Sequence, residues 1–501
     1  MAKFSVSPEA AQDPLVLALD VGSSGTRGCL YDATGRSLSK RRDKLEHSFT
    51  SASDGTSTIE PDRVVAEVSE ILDRLVVPDV ADRIAGVAMD TFAATLVGVD
   101  RAGNAITPCM TYADSRSAGE VKAMRFELDE REVQDRTGAR LHTSHLPAML
   151  RWVHAERPEV FESVDRWLSL GEYVWLRLLG DTAAATATAA WSGLLDRRTG
   201  QWDPTMLTVA GIEERQLSRI ADPDQPVRPV SSVVAKRWPA LADAAWFPVI
   251  PDGFASGLGS GATGPSTPVV SFATSGAMRV LVDEVAPQLP PGLWCYRVDR
   301  NRSLVGGALN DVGRMVTWME NAFRLPDLAR RDAILQAEPK QATPLVLPFL
   351  TGERATGWAG DARMVLRDLN YSEGPEDLYR GCLEGVALCY ARLAKQVTEV
   401  SGEPVALRAS GRVSNNIPGL LQLVADATGH PVEPVDIKRS TMHGTALYAL
   451  ATLVPDVPAA EVPVGKVTHP IPERADYYRD RLERFEDLYR ATITERIGAR
   501  D

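Results

Sequence analysis

Apolar residues fill positions 15–19 of this chain without a break, the run ends on an acid, Asp20, and glycine and hydroxyl residues then take over. An unbroken apolar run of this length, bounded by turn residues, reads as a buried strand. Gly22, Ser23, Ser24, Gly25 and Thr26 form the turn, Arg27 follows, and residues 28–32 make a second short strand closed by Ala33, Thr34 and Gly35. Glycines let a backbone bend tightly and approach a ligand, and the hydroxyl and N–H groups of such a turn can face phosphate oxygens. A Walker loop would need Lys-Ser/Thr and a helix behind it; a strand stands there instead, so the unit is a β-hairpin. The same pattern returns at residues 268–283, where an apolar run meets Ala273, Thr274, Ser275 and Gly276 and continues as an apolar strand. One such hairpin is an ordinary turn. Two, one near the start of each half, predict a duplicated architecture with phosphates between the halves.

Elsewhere the period lengthens. Residues 61–75 place Val64, Val65, Val68, Ile71, Leu72 and Leu75 at helical spacing with acid in the first turn. Residues 84–89 read as a buried strand running into Asp90, Thr91 and Phe92, and a further strand over 96–100 closes on the turn 101–104. Residues 150–153, 167–170 and 173–179 read as helical packing, and 186–195 as a small-residue stretch holding Trp191 and Ser192. A long helix is predicted over 376–397, with Leu378, Cys382, Val386, Cys389, Leu393 and Val397 on one face. After it a strand from 407 enters a glycine turn and a helix over 420–428, and Gly444, Thr445 and Ala446 predict a close-packed turn. Residues 456–501, rich in proline and charge, read as peripheral. Strands alternating with helices place the chain in the α/β class.

With 501 residues the chain exceeds a single core and predicts two large domains. A net charge of -12 leaves no basic footprint for nucleic acid, so an anionic ligand would need local cations. Cys29, Cys109, Cys295, Cys382 and Cys389 are odd in number and scattered, without metal-ligand spacing, which predicts buried thiols, no disulfide, no zinc and a reducing compartment. Residues 1–12 lack an apolar signal core and no run approaches the ~18 apolar residues of a membrane helix. A cytoplasmic, non-membrane protein is expected.

The candidate chemistry sits at strand ends. In residues 247–262 a buried run meets Pro251, Asp252 and Gly253 and opens into an Ala/Ser/Gly helix start. A carboxylate beside a helix N-terminus can be held ionised and can take a proton from a hydroxyl; a helix-capping aspartate is the other reading. Tyr112, Asp114 and Arg116 suit a polyol, or a surface ion pair. His142 and His145 fit a polar pocket better than a metal site, since no carboxylate or Cys stands at ligand spacing. Glu353 and Arg354 read as an internal ion pair.

In this order, these segments resemble the FGGY family of carbohydrate kinases from about residue 15 to 450, and most nearly its gluconokinase-like members through TSGAMR, PFLTGER followed by GW, and HTSHLP. The resemblance implies a duplicated actin/hexokinase-like (ribonuclease H-like) fold with an interdomain cleft: an N-terminal domain over 14–255, a C-terminal domain over 256–455 and a peripheral segment over 456–501. Asp252 takes the place of the catalytic aspartate, and Asp20 of a Mg²⁺ ligand. Gly22, Ser23, Ser24, Thr26 and Arg27 resemble the first phosphate motif, and Thr274, Ser275 and Gly276 the second. Ser410, Gly411, Asn415 and Asn416 resemble the adenosine motif, with Gly444 to Ala446 behind it. Thr91, Phe92, Tyr112, Asp114 and His145 are the implied substrate contacts beside Asp252.

Three departures bear on that reading. Ala93 and Ala94 stand where similar kinases carry an aromatic and a histidine, and Tyr112 where they carry Trp, which enlarges or re-aims the pocket. Ser410 and Arg412 flank a single Gly411 where two glycines are usual, and Met364 and Asp368 replace glycines after GERATGW. The implied function is transfer of the γ-phosphoryl group of ATP, with Mg²⁺, to a hydroxyl of a sugar, a gluconate-like sugar acid or a related polyol. The implied partners are a small carbohydrate and ATP, with a homodimer left open. Alternatives are a xylulose, other ketose or polyol kinase of the same family, and a non-catalytic sugar or nucleotide sensor on its scaffold. A chaperone-like ATPase would need a peptide-binding domain for which the chain lacks room.

Overall fold

The computed structural model describes residues 4–411 and 417–494. Its first sheet is built on β1 (Leu15–Gly22), β2 (Gly25–Tyr31) and β3 (Ser37–Glu46), neighbouring antiparallel strands. The chain then crosses by α1 (Pro61–Leu75) to β4 (Ile84–Thr91), parallel to β1 on its other side, and much later adds β5 (Ala245–Trp246) and β6 (Ile250–Pro251), both parallel to β4. The strand order is therefore 3-2-1-4-5, with the short strand Ser5–Val6 along the outer edge. Immediately after β6 comes α2 (Asp252–Gly259).

The second sheet repeats the plan. β7 (Val269–Phe272) and β8 (Gly276–Val282) form its hairpin, and β9 (Trp294–Arg297) and β10 (Ser303–Leu309) extend it. α3 (Pro375–Ser401) then leads to β11 (Leu407–Ser410), parallel to β7, and α4 (Pro418–Thr428) precedes β12 (Val432–Pro434). Its order, β9-β10-β8-β7-β11-β12, matches the first sheet's, with β9 in the edge place that Ser5–Val6 holds there. The duplicated fold expected of the sequence is thus the fold observed.

Strand alternation assigns each sheet face. In the first sheet Leu15, Leu17, Leu19 and Val21 pack toward α1, whose Val64, Val68, Ile71, Leu72 and Leu75 are buried. Each such aliphatic side chain contributes ~1.5–3 kcal/mol on leaving water, which outweighs the ~1 kcal/mol forgone because α1 has no side-chain cap. The opposite face, with Val16, Ala18 and Ala88, packs with α2 and α5 (Ser440–Leu453) in a second core. Here α2 and α5 cross backbone to backbone: a Cβ at Gly259 would overlap the Ser440 carbonyl, and one at Gly444 the Ala255 carbonyl. Gly444, Thr445 and Ala446 therefore lie inside a helix, close-packed as expected but not in a turn.

Two other expectations need correction. Residues 167–170 were expected to be helical, but Arg166–Leu168 is a strand antiparallel to Val97–Val99, and the following helix starts at Leu170, capped by Ser169. The segment from 456 is not merely peripheral. Its helix α6 (Ala475–Tyr489) buries Tyr478, Arg481, Phe485, Leu488 and Tyr489 in the core of the second half. Their helical spacing was masked by the charged residues between them. α3 is consequently buried nearly all round from Tyr379 to Ala394, beyond the single apolar face its sequence displays.

Candidate active site

The register of three parallel strands brings three carboxylates together. Asp20 on β1 lies beside Asp90 on β4, and β6 pairs Ile250 with Asp90 and Pro251 with Thr91, so Asp252 opens its helix at the same level. Arg27, opposite Asp20 on β2, donates to it at 2.9 Å and to Ser24 Oγ at 3.3 Å. Thr445 of α5 donates to Asp90 Oδ2 at 2.5 Å, while Asp90 Oδ1, also buried, has no hydrogen-bond partner among the described residues.

Burial governs the electrostatics here. It pushes the Asp90 carboxyl well above the usual range, reinforced by the charge of Asp20. It raises Asp20 too, against the pull of Arg27. Asp252 keeps a strip of accessible surface yet lies deep in the cleft. Desolvation and the Asp20 charge push it up to about 6, opposed by Arg279 and by the backbone N–H groups of Gly253 and Ala93. A carboxylate poised near neutrality can accept a proton from an alcohol.

These oxygens suit a hard cation. Mg²⁺ is typically held by one or two carboxylates together with waters and substrate phosphates, and the orphaned Asp90 Oδ1 beside Asp20 is such a donor. Among the described residues no cluster of three or more His, Cys, Asp or Glu forms a metal cage by itself.

The first hairpin borders this centre through Arg27, and the second sends Arg279 toward Asp252 from β8, but not every predicted residue faces it. Ser23 and Ser24 are exposed at the tip of the first. Thr26 is a correction: adjacent to Arg27 on a strand, it points to the opposite face, is fully buried, and donates to Glu67 at 2.7 Å. Gly25 is required by position, since its φ is +150° and a Cβ there would overlap the Leu45 carbonyl. In the second hairpin Thr274 is exposed and Ser275 half-buried, and the N–H groups of Gly313 and Arg314 tie the loop through the carbonyls of Ala273 and Thr274. Gly276 has no side chain because the Tyr390 hydroxyl occupies that space. Ser410 ends β11 beside Ser271, and Gly411 follows at φ +111°. Asn415 and Asn416 lie outside the described residues.

The acceptor side holds what the sequence left unassigned. Arg279 on β8 and the Trp191 ring flank Gly253. Arg354 donates to Asn310 Oδ1 at 2.6 Å. Neither guanidinium forms a salt bridge with any described residue. Burial pushes both below the usual arginine range; the charges of Arg279 and Arg314 add to this at Arg354, while Asp252 opposes it at Arg279. The Glu353–Arg354 ion pair expected of the sequence does not form: Glu353 turns inward to Arg392, at 2.8 Å, and to the Tyr489 hydroxyl. Tyr296 completes the wall, with ring centroids 4.1 Å from Trp191 and 4.7 Å from Trp294.

Four predicted substrate contacts are support instead. Thr91 lies on the sheet face away from Asp90 and is buried, as is Phe92, which lies under Phe49 and Tyr112 at 4.9 and 6.2 Å. Asp114 is buried and spent on Arg116 and the Ser57 N–H, the ion-pair reading of that motif. His145, pushed down to about 4 by burial, donates from Nδ1 to the Arg140 carbonyl and accepts the Tyr296 hydroxyl at Nε2, so it orients Tyr296. Tyr112 itself is 44% exposed and remains available. Asp90 shares the pattern of Asp20, an apolar run ending on an acid, and could have been found that way.

Two lobes of one plan, a hydroxyl-bearing hairpin on each and a poised acid between them define a phosphotransferase of the actin/hexokinase-like fold. The FGGY family of carbohydrate kinases matches in its N-terminal domain at residues 15–244 and in its C-terminal domain at 280–453. The chain belongs to this family, whose members transfer a phosphoryl group from ATP with Mg²⁺ to an alcohol. It is 24% identical to a gluconokinase of Bacillus subtilis (strain 168), over 79% of each chain. It is likewise 24% identical to a xylulose kinase of Escherichia coli (strain K12), over 96% of this chain and 99% of that one. A crystal structure of gluconate kinase from Lactobacillus acidophilus superposes with a TM-score of 0.86 at 24% identity, covering 95% of this chain and 98% of that one.

Proposed function

We propose that the enzyme phosphorylates a sugar acid of the aldonate type. The observation that carries this reading is the pair Arg279 and Arg354, two largely buried guanidinium groups within electrostatic reach of each other, neither in a salt bridge with a described residue, with Arg279 flanking Gly253 next to Asp252. Burying an unpaired charge is costly, and a carboxylate on the acceptor would remove that cost when it binds. Planar guanidinium groups also match a carboxylate in bidentate geometry.

In this reading Asp252 takes the proton of the attacking hydroxyl. Arg27 and the tips of the two hairpins neutralise charge on the transferring group, since phosphoryl transfer depends mainly on positioning and electrostatics. Asp20, with Asp90, would hold Mg²⁺, which when bound supplies charge neutralisation on phosphate oxygens. Trp191, backed by Tyr296, offers an apolar face to the carbon chain. Five buried free thiols support a reducing compartment such as the cytoplasm, and among the described residues no helix is long and apolar enough to cross a membrane.

The test is ATP-dependent turnover of matched acceptors, gluconate against glucitol and ketoses of the same size. A preference for the acid of about 100-fold or more in kcat/KM is expected, the scale of two charge-assisted contacts. Equal or better turnover of the neutral acceptors would overturn the reading.

A further inference from the structure

The first hairpin is anchored by a buried network that nothing in the transfer step uses. Glu67, on the buried face of α1, accepts from Thr26 Oγ1 at 2.7 Å and from Arg63 Nε at 2.9 Å, and its Oε2 lies 2.7 Å from His47 Nδ1. The His47 side chain has no accessible surface. Its other nitrogen, Nε2, lies 2.7 Å from the Gly22 carbonyl oxygen. A carbonyl only accepts, so Nε2 carries the proton donated there. Arg63 also reaches the Glu46 carbonyl at 3.0 Å, closing the network on the residue before His47.

The peptide that joins Gly22 to Ser23 is planar, and in a trans peptide the C=O and N–H point in opposite directions. A bond that draws the Gly22 carbonyl inward toward His47 therefore turns the Ser23 N–H outward, to the exposed tip of the turn. We infer that His47 is a positioning residue for phosphoryl transfer: held by Glu67, it fixes the Gly22 carbonyl away from the cleft and so aims the Ser23 N–H at a nucleotide phosphate. This rests on the reading of the hairpin as a phosphate loop. Oriented backbone N–H groups are effective there because their direction is set before the phosphate arrives.

Asparagine and glutamine separate the two ends of the imidazole. In His47→Asn the amide takes the place of Nδ1 and keeps Glu67, but it does not reach Gly22. In His47→Gln the amide nitrogen takes the place of Nε2 and restores the donor. With wild type, His47→Asn should raise the KM for ATP about tenfold and lower kcat, leaving the acceptor KM within about twofold, while His47→Gln stays within about threefold of wild type in all three. Similar behaviour of the two variants, or an equal shift in both KM values, would overturn the inference, because a purely structural role predicts those results. Should His47→Asn not fold, Ser23→Pro deletes the N–H at an exposed turn position that accepts proline, and an unchanged KM for ATP would then overturn it. Wild type that turns over no acceptor would sink the functional reading instead; working wild type with unresponsive variants sinks this one.

Discussion

Thr445 donates its hydroxyl to Asp90 across 2.5 Å, joining a helix from late in the chain to the strand that carries the second carboxylate of the cleft. Asp90 Oδ1 has no partner among the described residues, so this bond is its main internal support. Thr445→Val keeps the shape and deletes the donor. The loss should destabilise the enzyme by ~1–3 kcal/mol, the cost of leaving a buried acceptor unsatisfied, and reduce kcat. Thermal unfolding and steady-state kinetics on the one variant check both effects.

Asp252→Asn should separate activity from stability. Losing a general base lowers kcat by ~10²–10⁴. The folded-state pKa of about 6 lies above the ordinary carboxylate value of 3.8, so the stability the neutral acid contributes is present below 3.8 and lost as pH rises through 6. At pH 8 the ionised group is therefore a burden on the fold, and the amide removes it. A thermal midpoint for Asp252→Asn at or above wild type at pH 8, together with near-complete loss of turnover, is the expected pair of results.

The same displacement sets the pH profile. A base must be ionised to act, so kcat/KM should fall about tenfold per unit below pH 6 and level off above it. Measured with a strong-acid acceptor whose own ionisation lies lower, a limb centred near pH 4 would remove Asp252 from the role.

Arg354 depends on its neighbour in sequence turning the other way. Glu353 is buried against Arg392 and Tyr489, and Arg392 also holds Glu486 at 2.9 Å, so α6 clamps the loop that presents Arg354. Arg392→Met would leave Glu353 buried without its cation, a loss of ~3–5 kcal/mol. Removing the exposed Arg237–Asp73 pair should cost under about 1 kcal/mol. Comparing thermal midpoints of the two variants checks the contrast, and the KM for an acid acceptor should rise only in Arg392→Met.

The paired hairpins and Asp252 were legible in the sequence because each is local: an apolar run, then a glycine turn or an acid. Facing direction was not. Thr26 and Arg27 are neighbours in one motif, and only the alternation of β2 against α1 sends one to Glu67 and the other to Asp20. Arg279 and Arg354 are distant in sequence and come within electrostatic reach of each other only after the second sheet forms, so no spacing announces them. His145 and Asp114 were found as polar residues beside the substrate segment. Their hydrogen-bond partners, which decide that they support and do not touch, come from Tyr296 and Ser57 far along the chain. α6 was hidden for a different reason, since charges on its wet face dominate the composition of the tail.

Where α2 passes α5, glycine meets carbonyl on both sides, and the Phe254 and Tyr448 rings and a 3.0 Å contact from His443 Nδ1 to the Gly259 carbonyl hold the crossing. Main chain against main chain leaves no slack, so any side chain at Gly259 or Gly444 would force the two helices apart. Asp252 begins one of these rods and Thr445 lies on the other. Spreading that crossing would therefore move the start of Asp252's helix relative to the strands that carry Asp20 and Asp90, and a methyl group at either glycine would be felt first at the acids.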